Sequence, residues 1–430
     1  MKYYSTNNKN LRVSLREAVM QGLAPDSGLF MPESILPLSA DFFKSLPEKS
    51  FRQISFEVAE HLIGQDLPKE DLERIIEHTI QFDAPLVQLE KNIFSLELFH
   101  GPTLAFKDFG ARFLSGLLGY FAAQQEKVIT ILVATSGDTG SAVANGFLNV
   151  PGTHVVVLYP AGKVSTAQEK QFTTLGGNVS AIEIDGTFDD CQRIVKQCFL
   201  DEELNRKMTL TSANSINIAR LIPQSFYYFQ AYAQLKRECQ MIVSVPSGNF
   251  GNLTAGLFAK RMGLPIKHFI ASTNRNDVVP VYLRTRHFIP RPSVQTISNA
   301  MDVGNPSNFF RMLDLYGQNI DSLKGDITGY SFTDDETRGL IKRIYSEKGY
   351  VLDPHGAIGY LGLLEYARLD KNEYGIFMET AHPAKFEEVV SSTLGVPIKI
   401  PAALERFLSG TKSTTLLSKE FKMFKQHLLE

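Results

Sequence analysis

The chain has 430 residues, of which 43% are hydrophobic and 21% are charged, and its formal net charge is −2. This length and composition are typical of a folded globular protein with two or three domains and a large core. The near-neutral charge gives no electrostatic reason to expect nucleic acid or an anionic membrane as the main partner. No apolar run is long enough to span a bilayer, so we expect no membrane association.

The three cysteines, Cys191, Cys198 and Cys239, form no Cys-x-x-Cys pair. A sparse and odd set of this kind argues against a disulfide framework and fits a reducing compartment. The first residues also lack the apolar core of a signal peptide. We therefore predict a cytoplasmic protein, while earlier transit into an organelle stays open if the chain is a mature form.

The N-terminal part, residues 1–85, is predicted to be mostly helical. Ser14 with Glu17 and Ser50 with Gln53 have the spacing of a capping box, in which side chains and backbone amides pair at a helix start. Apolar stripes at helical spacing follow Ser50 and Pro68. Nothing in this part indicates chemistry, so a packing domain is the simpler interpretation.

From residue 86 onwards, short apolar runs alternate with helical patterns. The predicted strands cover 93–99, 128–134, 154–159, 179–184, 241–245, 265–271 and 375–379. The predicted helices cover 141–147, 165–172, 188–199, 216–235, 256–262 and 385–394, and another opens at 333. Such alternation indicates βαβ units, and therefore an α/β fold with a parallel sheet. The proline-containing stretch 274–307 is expected to be less regular.

One lysine is notable because it lies among apolar residues. Residues 98–110 read Leu-Phe-His-Gly-Pro-Thr-Leu-Ala-Phe-Lys-Asp-Phe-Gly, which places Lys107 just before a helical pattern. In an apolar pocket a lysine loses solvation of its charged form, so its pKa falls and its amine becomes nucleophilic. Such an amine can form a Schiff base with an aldehyde cofactor. Judged from this stretch alone, a lysine whose stem covers apolar surface while its charge stays in water is the commoner case.

The loop at 134–141 follows an apolar strand and opens a helix. Ser136, Asp138 and Thr139 lie at that helix start, where backbone amides and hydroxyls can bind a carboxylate or a phosphate. An ordinary helix start capped by Ser136 or Asp138 is an equally good interpretation.

The loop at 245–256 also joins an apolar strand to a helix. Gly248 and Gly251 let a ligand approach the backbone closely, and Asn249 and Asn252 tolerate unusual backbone angles. The pattern suits a phosphate cradle, although it is neither a Walker loop nor Gly-x-Gly-x-x-Gly.

A third polar cluster, residues 211–220, precedes the predicted long helix and places Arg220 one turn into it. An arginine can bind phosphate in a bidentate manner. In isolation, a capped helix with a surface arginine is the somewhat commoner case.

Two further turns contain histidines. Residues 378–386 end a strand and include Thr380 and His382, and residues 353–356 read Asp-Pro-His-Gly. These histidines are possible bases, but each is more often a structural turn residue. The sequence has no metal-ligand spacing such as His-Glu-x-x-His and no Gly-x-Ser-x-Gly elbow, so we expect no metal and no acyl transfer through that motif.

The features are most informative in combination. A lysine before a helix, a Gly/Asn phosphate cradle and a hydroxyl at a strand end fit one cofactor, pyridoxal 5′-phosphate. The lysine would hold its aldehyde, the cradle its phosphate and the hydroxyl its ring nitrogen.

Five motifs together resemble the threonine synthase family, most closely its bacterial and fungal branch. They lie at 98–110, 135–140 (Thr-Ser-Gly-Asp-Thr-Gly), 212–217 (Ser-Ala-Asn-Ser-Ile-Asn), 246–252 (Pro-Ser-Gly-Asn-Phe-Gly-Asn) and 380–386 (Thr-Ala-His-Pro-Ala-Lys-Phe). They occur in the family's order, and the resemblance extends through nearly the whole chain. No motif position departs from the pattern.

The resemblance implies the fold of type II pyridoxal-phosphate enzymes, which is similar to the tryptophan synthase β chain. Two α/β domains would hold the cofactor between them, beside a mostly helical N-terminal domain. The expected ranges are 1–85 for the N-terminal domain, 86–126 with 211–430 for the large α/β domain, and 127–210 for the smaller inserted domain. The implied reaction, the last step of threonine biosynthesis, converts O-phospho-L-homoserine and water into L-threonine and phosphate by γ-elimination and β-addition of water.

The resemblance also implies a role for each motif residue. Lys107 corresponds to the Schiff-base lysine and main proton carrier, and Thr380 to the partner of the ring nitrogen. The residues that correspond to the cofactor phosphate loop are Gly248, Asn249, Phe250, Gly251 and Asn252. The loop expected to face the substrate carboxylate and the cofactor ring contains Ser136, Asp138 and Thr139. The expected contacts to the substrate phosphate are Asn214, Ser215 and Arg220.

Two alternatives stay open at this point. A serine or threonine dehydratase of the same fold is the nearer one, although the arginine-bearing cluster argues against it because those substrates carry no phosphate. The other is a cofactor-binding protein without turnover, which the intact Lys107 and complete loops disfavour. We expect a monomer or a homodimer that acts on a small molecule, with neither nucleic acid nor membrane as a partner.

Overall fold

In a computed structural model, residues 1–124, 127–366 and 369–430 are described. The N-terminal part contains helices α1 (Leu15–Gln21), α2 (Ala40–Ser45), α3 (Phe51–Ile63) and α4 (Lys69–Thr79) and strands β1 (Lys2–Ser5), β2 (Arg12–Ser14) and β3 (Phe30–Pro32). Both capping boxes are present, at Ser14 before α1 and at Ser50 before α3. The small antiparallel sheet β2-β1-β3 was not predicted, because its strands are three or four residues long.

The rest of the chain alternates strands and helices. The strands are β4 (Leu86–Glu90), β5 (Ile93–Glu97), β6 (Ile129–Ala134), β7 (Thr153–Pro160), β8 (Val179–Asp185), β9 (Thr209–Ser212), β10 (Gln240–Pro246), β11 (Ile266–Thr273), β12 (Ile327–Ser331), β13 (Glu373–Glu379) and β14 (Thr415–Ser418). The first helices are α5 (Lys107–Ala122), α6 (Asp138–Phe147), α7 (Thr166–Thr173), α8 (Phe188–Leu200), α9 (Glu202–Lys207), α10 (Ile222–Leu235) and α11 (Gly251–Arg261). The later helices are α12 (Val278–Thr285), α13 (Phe309–Leu315), α14 (Ile320–Asp326), α15 (Asp334–Lys348), α16 (Pro354–Tyr366), α17 (Glu387–Leu394), α18 (Ala402–Leu408) and α19 (Phe421–Leu429).

Two sheets organise this α/β part. The larger has the order β12-β11-β10-β13-β5-β4, and every pair in it is parallel except the hairpin β4/β5. The smaller has the order β14-β8-β7-β6-β9 and is parallel throughout. The central strands are buried on both faces because helices cover both sides, which accounts for their continuous apolar runs. The predicted α/β class with parallel sheets is confirmed.

The C-terminal segment differs from the domain ranges expected from the sequence. Those ranges put all of 211–430 in the large domain, whereas β14 pairs with β8 of the smaller sheet and Phe424 of α19 packs in its core. The expected border at 210/211 also cuts β9, and the border at 126/127 falls where residues 125 and 126 lie outside the described part. A strand that joins a sheet from more than 200 residues away leaves no local signal.

One helix prediction was also inaccurate. The long helix expected from 216 begins at Ile222, after a separate 3-10 turn at Ile218–Arg220 that the Asn217 side chain caps. Pro223 lies in the first turn of α10, the part of a helix where a proline costs no hydrogen bond. The stretch 274–307 is less regular than its surroundings, as expected, and contains α12 and a 3-10 turn at Asn299–Met301.

Candidate active site

The carboxyl ends of strands from both sheets face one cavity. The loops that follow β6, β9, β10 and β13 contribute to its wall, as expected for open parallel sheets, where ligands bind at the carboxyl ends of strands. Its volume is about 820 Å³, including the space open to solvent at its mouth. Every site residue predicted from the sequence lines this cavity: Lys107, Ser136, Asp138, Thr139, Asn214, Ser215, Arg220, Gly248, Asn249, Phe250, Gly251, Asn252 and Thr380.

Lys107 is the first residue of α5, and its ammonium group lies 4.8 Å from the centre of the Phe106 ring. The side chain is half-buried and lines the cavity. Burial lowers the pKa of Lys107 to about 8, the charge of Asp138 opposes this, and the charges of Arg220 and Lys385 add to it. The structure therefore disagrees with the interpretation of Lys107 as a surface lysine, and it supplies the nucleophilic amine that the other interpretation requires.

The loop between β10 and α11 is held by its two asparagines. Asn252 accepts a hydrogen bond from the Ser247 hydroxyl at 3.0 Å and donates to the Pro246 carbonyl at 2.9 Å. The Asn249 amide donates to the Ser215 hydroxyl at 2.7 Å. Neither asparagine uses its tolerance of unusual backbone angles, because Phe250, at φ +59°, is the left-handed residue before α11. The asparagines hold the loop through their side chains.

The two glycines of this loop are required for different reasons. A Cβ at Gly248 would lie 2.8 Å from the Met301 Cα, so neighbouring backbone excludes a side chain there. A Cβ at Gly251 would have its nearest neighbours at 3.5 Å, in Asn308 and Ser215. The protein alone would therefore accept a side chain at 251, and that side chain would occupy space at the start of α11 where an anion can bind backbone amides.

Asp138 opens α6 and is buried between the two sheets. Its carboxylate pairs with the Lys385 ammonium at 2.7 Å and accepts from the Gln168 amide at 2.9 Å. Burial acts to raise the pKa of Asp138, but the charges of Lys385 and Lys107 outweigh it and hold that pKa well below its usual range. The expected caps, Ser136 and Asp138, do not cap α6. The N-cap is Gly137 at φ +140°, which makes no side-chain cap bond.

Arg220 is only 1% exposed, so the interpretation of it as a surface residue was wrong. Its Nη1 donates to the Ala213 carbonyl at 2.5 Å, while its Nε has no hydrogen-bond partner among the described residues. Burial lowers the pKa of Arg220 to about 10, which leaves it a cation at neutral pH. A buried cation that lines a cavity and does not use all of its donors within the protein is suited to an anionic ligand.

The two residues expected beside Arg220 are partly engaged within the protein. The Asn214 side chain donates to the Ala134 carbonyl at 2.7 Å and accepts from the Ala134 amide at 3.2 Å, so it links the ends of β6 and β9. Ser215 accepts from Asn249 and lies against Gly251. The arginine cluster and the glycine loop thus form one continuous wall.

Thr380 directly follows β13 and is buried with its side chain on the cavity. Several other lining residues were not predicted from the sequence. Most of them lie outside the polar loops that follow strands, and His355 was interpreted as a structural turn residue. They are Phe188 and Gln192 on α8, Gln224 on α10, Met301, Val303 and His355. His382, in contrast, is structural as expected, since its Nδ1 accepts from the Ala384 amide.

The lining residues fit pyridoxal 5′-phosphate. Lys107 provides an amine of lowered pKa for the aldehyde, the start of α11 provides a glycine-lined space for a phosphate, and Thr380 provides a hydroxyl for the ring nitrogen. The described part of the chain contains no group of three or more His, Cys, Asp or Glu side chains placed to hold a metal ion. Nor does any helix in it have the length and apolar content to cross a membrane.

Known proteins share both the sequence and the architecture. A family model described as pyridoxal-phosphate dependent enzyme matches residues 79–376, and models of the threonine synthase N terminus and C-terminal part match 2–80 and 356–428. The threonine synthase of Escherichia coli (strain K12) is 48% identical over 406 residues, 94% of each chain. The crystal structure of threonine synthase from Escherichia coli matches with a TM-score of 0.94 at 44% identity, covering 100% of this chain and 99% of that one. The structure of PLP-bound threonine synthase from Brucella melitensis matches with a TM-score of 0.91 at 36% identity, covering 100% and 98%.

Proposed function

The chain belongs to the threonine synthase family of pyridoxal-phosphate-dependent enzymes, and from this premise we propose that its cavity converts O-phospho-L-homoserine and water into L-threonine and phosphate. The family and the type II fold predicted from the five motifs are confirmed. One observation carries the assignment of the site. A lysine of lowered pKa, a glycine-lined helix start and a buried arginine with an unpaired donor line the same cavity.

Pyridoxal 5′-phosphate is the cofactor, and when bound it supplies an aldehyde for the lysine amine and a ring that withdraws electrons from the substrate α carbon. We assign its covalent attachment to Lys107 and its ring-nitrogen contact to Thr380. The residues assigned to its phosphate are Gly248, Asn249, Phe250, Gly251 and Asn252. The first amides of α11 and the positive end of its dipole favour an anion there.

The net reaction breaks the bond between Cγ and oxygen, forms a bond between Cβ and the oxygen of water, and moves hydrogen from Cβ to Cγ. Lys107 is assigned as the carrier of the Cα proton, because its amine of lowered pKa lines the cavity and would lie beside the substrate α carbon if it held the cofactor aldehyde. A pKa of about 8 keeps both its neutral and its charged form accessible near neutral pH, as a group that alternates between base and acid requires.

We assign the anionic ends of the substrate to two parts of the cavity wall. The loop with Ser136, Asp138 and Thr139 faces the substrate carboxylate and the cofactor ring, while Asn214, Ser215 and Arg220 serve the substrate phosphate. Because the Asn214 side chain is already engaged with Ala134, its part is to position the loop. Arg220 supplies the charge, and a donor in a buried site also stabilises departing phosphate.

Product analysis tests the function directly. The purified protein, incubated with O-phospho-L-homoserine, is expected to release phosphate and L-threonine in equal amounts and to show the absorbance of bound cofactor. A dehydratase would instead consume threonine and form a 2-oxo acid, and a binding protein without turnover would release no phosphate. Either result would overturn the proposal.

The assembly, location and domain division are further proposals. We propose a cytoplasmic monomer or homodimer without a nucleic-acid partner, since the three cysteines are buried and unpaired and the net charge is −2. We also propose three domains, namely residues 1–85, the unit of the larger sheet and the unit of the smaller sheet, with β14 and α19 included in the last. Light scattering after gel filtration and limited proteolysis test the assembly and the division.

A further inference from the structure

His355 is a buried histidine whose second ring nitrogen faces the cavity without a partner. It is the second residue of α16, it is 2% exposed, and it lines the same cavity as Thr380. Within residues 1–124, 127–366 and 369–430, no group forms a hydrogen bond with its Nε2. A buried polar atom left unpaired is unfavourable, so a ligand group that pairs with it gains a contact which the protein alone does not provide.

The other side of the imidazole ring is tightly held. Its Nδ1 lies 2.6 Å from Asp353 Oδ1, and the same oxygen accepts the His355 backbone amide at 2.8 Å. Asp353 Oδ2 accepts the Gly356 amide at 3.2 Å, and the Phe386 ring packs 4.9 Å from the imidazole. These contacts fix the imidazole through Nδ1, so the unpaired Nε2 is the ring nitrogen left for a ligand in the cavity that His355 lines.

The buried carboxyl groups of Asp353 and Glu379, behind His355, keep a proton on its Nδ1. Burial acts to raise the pKa of Asp353, but the charge and hydrogen bonds of His355 outweigh it, so Asp353 is held ionised. Burial and the Asp353 charge raise the pKa of Glu379 well above its usual value, so Glu379 is neutral at neutral pH. An ionised Asp353 accepts the Nδ1 proton, and Nε2 is then the group offered to a ligand.

The same pair locates His355 at one end of the cavity. The Asp353 amide donates to Glu379 Oε2 at 3.4 Å, and Glu379 directly precedes Thr380. Thr380 is the residue assigned to the ring nitrogen of the cofactor. His355 and Thr380 therefore lie beside each other, at the end of the cavity that the ring is proposed to occupy.

We propose that His355 is a cofactor-binding residue whose Nε2 forms a hydrogen bond with the pyridine ring system of pyridoxal 5′-phosphate, and that Asp353 and Glu379 hold it in that orientation. The proposal rests on the proposed function of the cavity and adds a ring contact to it. His355 would thereby affect cofactor affinity and the electronic properties of the ring. Both can be measured independently of proton transfer by Lys107.

Two substitutions separate the ligand contact from the bond to Asp353. His355→Asn places an amide near the position of Nδ1, so it keeps a partner for Asp353 and removes the group at Nε2. His355→Gln places its amide near the position of Nε2. The probe is 4′-deoxypyridoxine 5′-phosphate, which has the ring and the phosphate but no aldehyde, so its binding to the cofactor-free protein does not require the amine of Lys107.

We expect His355→Asn to bind the probe about tenfold more weakly than the unsubstituted protein, the loss of roughly one hydrogen bond. His355→Gln is expected to stay within about threefold of the unsubstituted protein, a smaller loss than that of one hydrogen bond. The absorbance maximum of bound pyridoxal 5′-phosphate should move in the Asn variant and return in the Gln variant. His382→Asn is the matched control, because an asparagine can still cap the Ala384 amide and the residue does not line the cavity.

Equal losses in the Asn and Gln variants, or unchanged affinity in the Asn variant, would overturn the proposal. Melting temperatures of all variants without cofactor show whether a loss of affinity follows a loss of folding. Should a substitution prevent folding, Glu379→Gln is used instead, since it keeps a neutral amide beside Asp353, and probe affinity within about threefold is expected. A larger loss there with an intact fold would contradict the neutral state of Glu379 and with it the proposed orientation. Phosphate release by the unsubstituted protein tests the proposed function separately.

Discussion

Lys385 and Asp138 form a buried ion pair that joins the two sheet units across the active-site cavity. Lys385 Nζ lies 2.7 Å from Asp138 Oδ1, and the two side chains are 0% and 3% exposed. Lys385 follows β13 of the larger sheet and also donates to the Thr103 carbonyl at 2.8 Å, whereas Asp138 opens α6 beside the smaller sheet. The pair therefore holds the Asp138 loop in register with the lysine stretch.

Removing one member of this pair is expected to destabilise the protein strongly. Lys385→Met leaves a buried carboxylate without its ammonium partner, and breaking a buried pair in this way costs about 3–5 kcal/mol. The double variant Lys385→Met/Asp138→Asn should recover part of the loss, because no isolated charge then remains at Asp138. Urea unfolding followed by circular dichroism measures both. Lys207→Met is the control, since its pair with Glu203 is exposed and contributes little to stability; equal effects at 385 and 207 would contradict the prediction.

Lys107→Met is expected to abolish turnover and to stabilise the cofactor-free protein at pH 7. The pKa of Lys107 falls from 10.5 to about 8 on folding, so the folded state disfavours the ammonium form. Below pH 8 the lysine is charged in both the folded and the unfolded state, so the full cost of burying its charge lowers the stability of the folded protein. Between pH 8 and 10.5 the unfolded chain binds a proton that the folded chain has released, so the stability of the unsubstituted protein rises with pH.

Melting temperatures from pH 6 to 10.5 check this prediction. The difference between Lys107→Met and the unsubstituted protein should be largest below pH 8 and shrink towards pH 10.5. A difference that does not depend on pH would show that the amine is not desolvated. Borohydride reduction of the cofactor-loaded protein, followed by peptide mass spectrometry, should place the label on Lys107.

Substitutions at Gly251 and Gly248 are expected to affect different properties, cofactor binding at Gly251 and stability at Gly248. Gly251→Ala should leave the melting temperature of the cofactor-free protein nearly unchanged, since its Cβ would meet no atom closer than 3.5 Å, and should weaken cofactor binding. Gly248→Ala should lower that melting temperature, because its Cβ would come within 2.8 Å of the Met301 backbone. Cofactor titration and thermal unfolding of both variants separate the effects. Normal cofactor affinity in Gly251→Val would refute the phosphate cradle.

Arg220→Ala is expected to lower kcat/KM for O-phospho-L-homoserine by one or two decades. A charge-assisted hydrogen bond contributes on the order of 1.5–3 kcal/mol, and the loss grows if the arginine also stabilises departing phosphate. Arg220→Lys should recover only part, because an ammonium lacks the planar geometry of the guanidinium. Cofactor affinity is measured in parallel, because Arg220 lines the same wall as Ser215 and Gln224. Those two residues border Gly251, where the cofactor phosphate is proposed to bind. A larger loss of cofactor affinity than of kcat/KM would assign Arg220 to the cofactor phosphate instead.

Local sequence patterns predicted much of the architecture and the wall of the cavity. The capping boxes at Ser14 and Ser50 formed as expected because they need only residues three positions apart. The loops containing Asp138 and Gly248 were recognised because a polar, glycine-containing segment after a buried parallel strand must lie at the carboxyl edge of its sheet. The motif resemblance then assigned roles that no pattern could supply.

Long-range packing decided the features that these patterns did not reveal. Arg220 is buried rather than exposed because α5 and α10 close over it, and His355 faces the cavity because Asp353, Phe386 and Glu379 orient its ring. The bond between Asp353 and His355 is local, but the packing over Arg220 and the positions of Phe386 and Glu379 depend on residues far apart in the chain, which carry no signal in the local order of residues.

The sequence by itself determined the family, the α/β class, the cofactor and the set of polar loops, because these follow from local periodicity, residue chemistry and motif identity. Only the tertiary structure decided that β14 completes the smaller sheet, that Phe250 rather than an asparagine takes the left-handed conformation, and that Lys385 neutralises Asp138. The physical reason is that backbone pairing, steric fit and desolvation of charges depend on which distant segments meet, and only folding brings those segments together.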